Sequence, residues 1–193
     1  MFSSQKTDVL FIIYNNNRTV YTFSNIALLT GESNAAKLSN KLNYYVHSGK
    51  LLNPRKGIYA KNNYNPEELA CLLYTPSYIS LEYVLQKAGV IFQYDEKITA
   101  VSYLSRTVEI DKNVYQYRKI KSEILIDMSG IIRSNNLNIA SPERAFLDVM
   151  YLNASYYFDN INSLNKNVIY ELLPVYNSKI LRERINNIFK KNG

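Results

Sequence analysis

The chain has 193 residues, of which 47% are hydrophobic, and its formal net charge is +7 at pH 7. This composition is sufficient for a packed core and excludes a wholly disordered chain. Cys71 is the single cysteine, which excludes an internal disulfide, and the longest apolar runs, such as 9–13, are too short to span a bilayer. The N-terminus has no apolar stretch of the kind found in signal peptides, so we expect a cytoplasmic protein that does not contact a membrane.

The positive charge is concentrated in the first third of the chain. Residues 1–62 contain eight basic and two acidic residues, a net charge of +6, whereas residues 63–193 contain fifteen basic and fourteen acidic residues, a net charge of +1. A concentrated basic region favours a polyanionic partner, and nucleic acid is the commonest one. The alternative is a basic domain whose charge has no such partner.

The elements predicted in residues 1–62 follow the order helix, short strand, helix, tight turn, helix and hairpin. Thr22 is a suitable N-cap, Gly31 is a suitable end for the helix after it, and Ser33 is the expected N-cap of the next helix. The predicted helices are 8–14, 23–30 and 34–48, with an extended piece at 19–21 and a hairpin at 50–60. This order is the plan of a winged helix-turn-helix domain.

Helix 34–48 is the predicted DNA-reading element. At 100° per residue, one arc is apolar and is expected to pack on the preceding helices: Ala35, Leu38, Leu42, Tyr45 and Val46. The opposite arc carries the candidate DNA contacts, with His47 at its margin: Ser33, Asn34, Lys37, Asn40, Lys41 and Tyr44. Asn40 can pair with adenine, Lys37 and Lys41 can reach guanine edges or phosphates, and no acidic residue lies between positions 33 and 53.

Arg55 and Lys56 are predicted at the tip of the hairpin, in a turn over 53–56, where they would contact the minor groove or the adjacent backbone. The alternative for the whole set of basic and amide side chains is an ordinary solvated helix face. A third possibility is a winged helix that contacts only proteins, which predicts no salt-sensitive DNA binding.

Residues 63–193 are predicted to form a C-terminal mixed α/β domain with a mainly antiparallel sheet, which makes the whole chain α+β. Helices are predicted at 66–73, 79–88, from Ser141 onwards, 166–175 and 179–190. Strands are predicted at 98–104, 107–110, 114–120 and 124–127.

We find no motif for catalysis in this second segment. It has no GxSxG, no phosphate-binding glycine loop and no HExxH, and one Cys and one His cannot build a metal cluster, so we expect no catalytic residue, cofactor or metal. Glu143, Arg144 and Asp148 form a dense charged group, in which Arg144 and Asp148 should form a structural i, i+4 pair. One alternative remains open, a winged-helix-targeted enzyme whose metal site would use carboxylates near the strands: Glu109, Asp111, Glu123 and Asp127.

Four segments occur in the order expected of one family. They are Thr22-x-x-Asn25-Ile26-Ala27-x-Leu29-x-Gly31, Gly57-Ile58-Tyr59-Ala60, Ser77-Tyr78-Ile79-Ser80-Leu81-Glu82-Tyr83-Val84-Leu85, and Ser141-Pro142-Glu143-Arg144-Ala145-Phe146-Leu147-Asp148. With them the chain resembles the AbiEi family, the antitoxins of type IV toxin–antitoxin systems. The last two segments are the more telling, because the first is common to winged helices in general.

The resemblance implies a function that composition and spacing do not. It implies a repressor that binds inverted repeats in its own promoter, and a C-terminal domain that counteracts a nucleotidyltransferase-like toxin encoded next to it, without a stable complex. Such systems can abort phage infection. By their position in the matching segments, the candidate residues of the antitoxin domain are Tyr78, Ser80, Glu143, Arg144 and Asp148.

Overall fold

The computed structural model describes residues 8–134 and 137–191, which form an α+β fold. The helices are α1 (Val9–Asn15), α2 (Phe23–Thr30), α3 (Ala35–His47), α4 (Pro66–Leu73), α5 (Glu82–Lys87), α6 (Ser122–Ile126), α7 (Pro142–Leu152), α8 (Lys166–Leu172) and α9 (Lys179–Lys191), with a turn of 3-10 helix at Leu173–Tyr176. The strands are β1 (Val20–Thr22), β2 (Leu52–Arg55), β3 (Ile58–Ala60), β4 (Ser77–Ile79), β5 (Ile98–Ser102), β6 (Arg106–Ile110), β7 (Asn113–Lys119), β8 (Ile131–Ser134) and β9 (Leu137–Ala140). Lys6, counted above in the basic N-terminal segment, lies outside the described residues.

The N-terminal unit comprises α1 to β3, in the element order expected from the sequence. Its sheet is antiparallel with strand order β1-β3-β2, and Tyr21 of β1 lies opposite Tyr59 of β3. Thr22 and Asn25 form a reciprocal capping box that starts α2, and Gly31, at φ 62°, ends it. The three helices enclose a small core. The cap and the left-handed glycine therefore set the short turn that leads from α2 into α3.

Two details of α3 differ from the prediction. The N-cap is Asn34 rather than Ser33, and its side chain accepts a hydrogen bond from the Lys37 N–H at 3.0 Å. Leu38, Leu42 and Tyr45 are buried, but Ala35 is exposed. The first turn of α3 projects beyond the small core, which covers only the later turns of the helix. Residues 33–37 are therefore all exposed.

The hairpin also differs from the prediction. Arg55 belongs to β2 and pairs with Ile58, so the turn consists of Lys56 and Gly57 rather than residues 53–56. Gly57 has a φ of 81°, a conformation that glycine adopts without strain. The Asn53 side chain donates to the carbonyl oxygens of Arg55 and Ile58, which closes the hairpin. Lys56 is therefore at the tip, and Arg55 is not.

The second, C-terminal unit comprises α4 to α9, and its sheet has six strands in the order β6-β7-β5-β4-β9-β8. Three of its five pairings are antiparallel, and β4 with β9 and β5 with β7 are parallel. The sheet is thus mixed, with a small antiparallel majority. Helices α4, α5 and α7 pack on it and share one large core with it.

The sequence prediction was wrong in three places in this unit. The helix predicted at 79–88 is the shorter α5, and residue 79 ends the buried central strand β4, which was not predicted. Residues 124–127 belong mostly to helix α6 rather than to a strand. The hairpin of β8 and β9 was not predicted. Short apolar runs do not distinguish a buried strand from a helical turn, because both bury adjacent residues.

The two units are joined by buried contacts across the expected boundary between residues 62 and 63. Val20, Ile58 and Ala60 of the first sheet belong to the large core of the second unit. Glu68 of α4 is buried, and its Oε2 accepts hydrogen bonds from the N–H groups of Thr19 at 2.8 Å and Val20 at 3.1 Å. The amino-acid pattern therefore changes near position 62, but the buried core continues across it.

Among residues 8–134 and 137–191, no helix combines the length and apolar character needed to cross a membrane.

Candidate functional site

The exposed face of α3 is a continuous polar surface. Four of its residues were predicted to contact DNA, namely Lys37, Asn40, Lys41 and Tyr44, and His47 was predicted to lie at the margin of the face. Two further exposed residues, Ala36 and Asn43, were not predicted. The exposed residues of the helix after its first position are Ala36, Lys37, Asn40, Lys41, Asn43, Tyr44 and His47. The sequence prediction placed His47 at the margin. The helical period carries the missing signal, because Ala36, Asn40, Asn43 and His47 follow one another at steps of four, three and four residues.

Two acidic residues approach this face from outside the helix. Lys37 Nζ lies 3.2 Å from Glu32 Oε2, and Lys41 Nζ lies 3.7 Å from Asp8 Oδ1. No acidic residue lies between positions 33 and 53 in the sequence, but the fold brings both acids of residues 1–62 to the lysines of α3. The lysine side chains are 53% and 44% exposed, and those of their partners Glu32 and Asp8 are 14% and 57% exposed. Because the lysine of each pair faces solvent, the ion pairs are weak and can exchange partners.

The ends of the face are shaped by other polar contacts. Asn34 is exposed, but its Oδ1 is engaged by the helix cap, and Ser33 precedes it, also exposed. At the other end, Lys50 Nζ lies 5.6 Å from the centre of the Tyr44 ring, which is 60% exposed. The surface thus contains hydroxyl, amide and ammonium donors along the length of α3.

The hairpin contributes Lys56, which is exposed in the turn. Arg55 instead contacts the second unit. Its Nη1 donates to the Leu73 carbonyl oxygen at 3.3 Å, and its guanidinium lies 4.8 Å from the centre of the Tyr74 ring, at cation–π distance. Tyr74 packs edge-on against Tyr117, with ring centres 4.8 Å apart. Arg55, which is exposed and directly precedes the turn, therefore links the hairpin to the second unit.

Four of the five candidate residues of the second segment meet inside the core. Tyr78 lies on β4, Ser80 follows it, and Arg144 and Asp148 are one turn apart on α7. Arg144, Asp148 and Ser80 have no exposed surface, and Tyr78 is 1% exposed. Tyr176, from the 3-10 turn, joins them. We call Tyr78, Ser80, Arg144, Asp148 and Tyr176 the buried cluster.

Asp148 is the acceptor at the centre of the buried cluster. Its carboxylate accepts hydrogen bonds from Ser80 Oγ at 2.7 Å, Tyr176 OH at 2.7 Å and Tyr78 OH at 3.2 Å. Arg144 Nε lies 3.6 Å from Asp148 Oδ1. Complete burial raises the pKa of the Asp148 carboxyl, while the guanidinium and the three hydroxyl donors act in the opposite direction.

Arg144 extends the buried cluster to the backbone of α6 and the loop after it. Nη2 donates to the Ile124 carbonyl at 2.7 Å and to Tyr78 OH at 3.1 Å, and Nη1 donates to the Ser129 carbonyl at 2.9 Å. The cluster therefore connects β4, α6, α7 and the 3-10 turn. The sequence prediction missed Tyr176, one of 18 tyrosines, because no local pattern distinguishes it.

Glu143, the fifth candidate, is half-buried, and its Oε1 accepts a hydrogen bond from the Asn165 N–H at 3.1 Å. It fixes the start of α8 to the start of α7. In this conformation the other four candidates are closed to a partner molecule. These contacts favour a structural role for the whole set, as the i, i+4 spacing of Arg144 and Asp148 suggested.

The carboxylates of the alternative enzyme hypothesis lie near different elements. Asp111 Oδ2 accepts a hydrogen bond from Tyr64 OH at 2.9 Å, and Asp127 Oδ1 accepts one from the Ser129 N–H at 2.8 Å. Within the described residues, no group of three or more His, Cys, Asp or Glu side chains is placed to hold a metal ion.

Comparison with known proteins gives a structural likeness alone. No family model and no curated protein matches the chain. Its fold is similar to that in the crystal structure of the RV2827C protein from Mycobacterium tuberculosis, with a TM-score of 0.58 and 12% sequence identity. The match covers 100% of this chain and 78% of that chain. At this level of identity the likeness concerns the fold.

Proposed function

We propose that the chain is a DNA-binding transcriptional repressor whose N-terminal unit is a winged helix-turn-helix. The observation that carries the proposal is the exposed face of α3, which holds amides, hydroxyls and two lysines and no acidic residue of its own. The antiparallel order β1-β3-β2 and the hairpin with Lys56 at its tip support the same domain type.

In this proposal α3 enters the major groove of double-stranded DNA. Its 13 residues span roughly 20 Å, and the groove is wide enough to admit a helix. Lys37 and Lys41 leave Glu32 and Asp8 and bind phosphates, because surface pairs exchange at little cost. Ser33, Asn34 and Tyr44 donate to the backbone beside the helix, and Lys56 contacts the next stretch of backbone.

The second part of the proposal is that the chain acts as an antitoxin of a type IV system and controls its own operon through inverted repeats. It depends on the resemblance to the AbiEi family. The C-terminal unit would counteract a nucleotidyltransferase-like toxin without catalysing a reaction and without a stable complex. The burial of Tyr78, Ser80, Arg144 and Asp148 implies that any toxin-directed surface uses other residues, which the buried cluster holds in place.

Fluorescence anisotropy with the DNA upstream of the gene tests the first part. We expect tight binding at 50 mM salt that weakens steeply by 200 mM, because each phosphate contact releases counterions. The double variant Lys37→Ala, Lys41→Ala should bind more weakly and with a shallower dependence on salt. Lys97→Ala is the matched control, since Lys97 forms a similar surface pair with Asp95 in the second unit.

Absence of binding at low salt would contradict the DNA-binding role and favour a winged helix that contacts proteins. Equal loss in the Lys97→Ala control would show that the effect is one of overall charge, and would contradict the assignment of α3.

Sequencing of the neighbouring gene, followed by co-expression with the nucleotidyltransferase-like toxin that the proposal expects there, tests the second part. We expect the chain to restore growth, and the Lys37→Ala, Lys41→Ala variant to restore it equally, because repression and neutralisation use different units. Failure of both to restore growth would contradict the antitoxin role. A Glu109→Gln, Asp111→Asn variant that loses only a Mg²⁺-dependent activity would instead support the enzyme alternative.

A further inference from the structure

The outermost stripe of α3 carries no charge. Ala36, Asn40, Asn43 and His47 lie opposite the buried residues Leu38, Leu42 and Tyr45 and are all exposed. The lysines are set to one flank. Lys37 reaches Glu32, which precedes the helix, and Lys41 reaches Asp8, which caps α1. The part of the helix that would lie deepest in a groove is therefore made of carboxamides, a methyl group and an imidazole.

The three asparagines of this region differ in what they can bind. Asn34 Oδ1 accepts the Lys37 N–H, so its carboxamide is not free to offer a donor and an acceptor together. Among the residues that the structure describes, 8–134 and 137–191, the exposed side chains of Asn40 and Asn43 have no hydrogen-bond partner. Their carboxamides are the two that can form a bidentate pair with an incoming ligand.

A carboxamide matches one base edge in the major groove. It donates to N7 of adenine and accepts from N6–H₂, whereas guanine presents two acceptors, which suit arginine or lysine. The sequence of α3 contains no arginine. Ala36, one turn before Asn40, is of the size and polarity that contact the C5-methyl group of thymine.

We infer that α3 selects A·T pairs by direct contact in the major groove, with Asn40 and Asn43 as the residues that determine specificity and Ala36 as a thymine-methyl contact. This inference rests on the proposed DNA-binding function. The lysines on the flank supply affinity that is independent of sequence, and the uncharged stripe supplies the discrimination.

The experiment begins with selection of duplexes from a randomised pool at one salt concentration, for the wild-type chain and for Asn40→Ala and Asn43→Ala. Asn187→Ala is the matched control, because Asn187 is an exposed asparagine within α9 of the second unit. We expect the wild type and the control to select the same A·T pairs, and each α3 variant to lose the preference at one of them.

Base analogues in the selected duplex then distinguish recognition in the major groove from recognition in the minor groove. An inosine·cytosine pair has the major-groove edge of G·C and the minor-groove edge of A·T, and a 2,6-diaminopurine·thymine pair has the reverse. We expect inosine·cytosine at a selected position to weaken wild-type binding about tenfold, and diaminopurine·thymine to leave it nearly unchanged. In the variant that lacks the asparagine for that position, the inosine·cytosine penalty should disappear.

The outcomes distinguish the inference from the function on which it rests. If no duplex binds in a salt-sensitive manner, both fail. If duplexes bind tightly but the selected sites are rich in G·C, or the preference survives in both asparagine variants, the inference is overturned and the DNA-binding function stands. Tolerance of inosine·cytosine combined with loss on diaminopurine·thymine would assign the preference to the minor groove, and would also overturn the inference.

Discussion

Two groups of polar residues, the exposed face of α3 and the buried cluster, look alike in the sequence and differ completely in the fold. Each contains charged residues four positions apart on a helix, Lys37 with Lys41 and Arg144 with Asp148. The lysine side chains are 53% and 44% exposed, whereas Arg144 and Asp148 have no exposure. Each lysine has one acidic partner at the surface, while Asp148 has three hydroxyl donors and a guanidinium beside it.

The difference teaches that the same residue types serve binding or stability according to their burial. An exposed ion pair contributes about 0–1 kcal/mol and can be replaced by a contact with phosphate. A buried pair cannot lose one partner without leaving the other desolvated and unpaired, which costs about 3–5 kcal/mol. Substitutions in the buried cluster should therefore change stability and leave DNA affinity intact, and substitutions around α3 should do the opposite.

The largest expected effect is that of Asp148→Ala. It leaves the buried Arg144 guanidinium without its counter-charge and three hydroxyl groups without their acceptor, so the free energy of unfolding should fall by about 3–5 kcal/mol in urea titrations. Tyr176→Phe removes one of the three donors and should cost about 1–2 kcal/mol, which keeps the test informative if the alanine variant does not fold. A loss below about 1 kcal/mol for both would contradict the structural role of the cluster.

Gly130→Ala tests the packing around the same cluster. Gly130 has a φ of 72°, and a Cβ there would lie 3.0 Å from Arg144 Cβ and 3.0 Å from Leu172 Cδ1. Strain and overpacking together should lower the free energy of unfolding by about 2–4 kcal/mol. Gly89→Ala is the matched control, because Gly89 has a φ of 67° and nothing within 4 Å of the added atom, and it should cost about 1 kcal/mol. Equal losses would show that backbone strain alone is being measured.

The sequence predicted the local features of both regions and not their surroundings. Caps, glycines at left-handed positions and helical periods depend on residues close in sequence, so the order of elements in the N-terminal unit was confirmed, as was the burial of Leu38, Leu42 and Tyr45. The ion pairs of Lys37 and Lys41 with acidic residues were not predicted. The hydrogen bond from Tyr176 to Asp148 was not predicted either. The Lys41 and Tyr176 contacts join elements distant in the chain, and no local pattern encodes them.

Arg55 shows the same limit. Its neighbours Pro54, Lys56 and Gly57 indicate a basic turn, but the turn consists of residues 56 and 57 instead of the predicted 53–56. The direction of the guanidinium depends on Tyr74 and the Leu73 carbonyl, which belong to the end of α4 and the residue after it. The sequence therefore predicted a basic hairpin tip but not the contact of Arg55 with the second unit, and a contact of Arg55 with DNA stays a prediction.

Glu32→Gln tests whether Lys37, on the exposed face of α3, exchanges its acidic partner for a DNA phosphate. The change removes the carboxylate partner of Lys37 and a negative charge close to the incoming DNA, so DNA affinity should rise several-fold, mostly at low salt. The free energy of unfolding should change by about 1 kcal/mol, because the glutamine amide oxygen can still accept the hydrogen bond that Asn34 N–H donates to Glu32 Oε1 at 3.3 Å. Asp95→Asn is the matched control, since Asp95 pairs with Lys97 at 3.1 Å in the second unit, and it should leave affinity unchanged. Unchanged affinity in Glu32→Gln would show that Lys37 does not exchange Glu32 for phosphate.

The smallest effect concerns Asp8, whose carboxylate accepts a hydrogen bond from Tyr45 OH and also pairs with Lys41. The bond from Tyr45 lowers the pKa of Asp8 below its usual value, although partial burial opposes this. Because the pKa is lower in the folded state, this carboxylate stabilises the fold above the unfolded pKa of about 3.9, and the contribution is lost as the pH falls through the folded pKa.

Asp8→Asn removes the charge and keeps an N-cap oxygen for α1, so it isolates this contribution. Urea titrations at pH 7, 5 and 3 should show the variant less stable than the wild type by under about 1 kcal/mol at pH 7, with the difference shrinking towards pH 3, since the carboxylate is more than half exposed. A difference that grew towards pH 3 would contradict the lowered pKa. A difference several times larger at pH 7 would mean that Asp8 holds Lys41 as firmly as the buried cluster holds Arg144, and Lys41 would then not be free to exchange Asp8 for a phosphate.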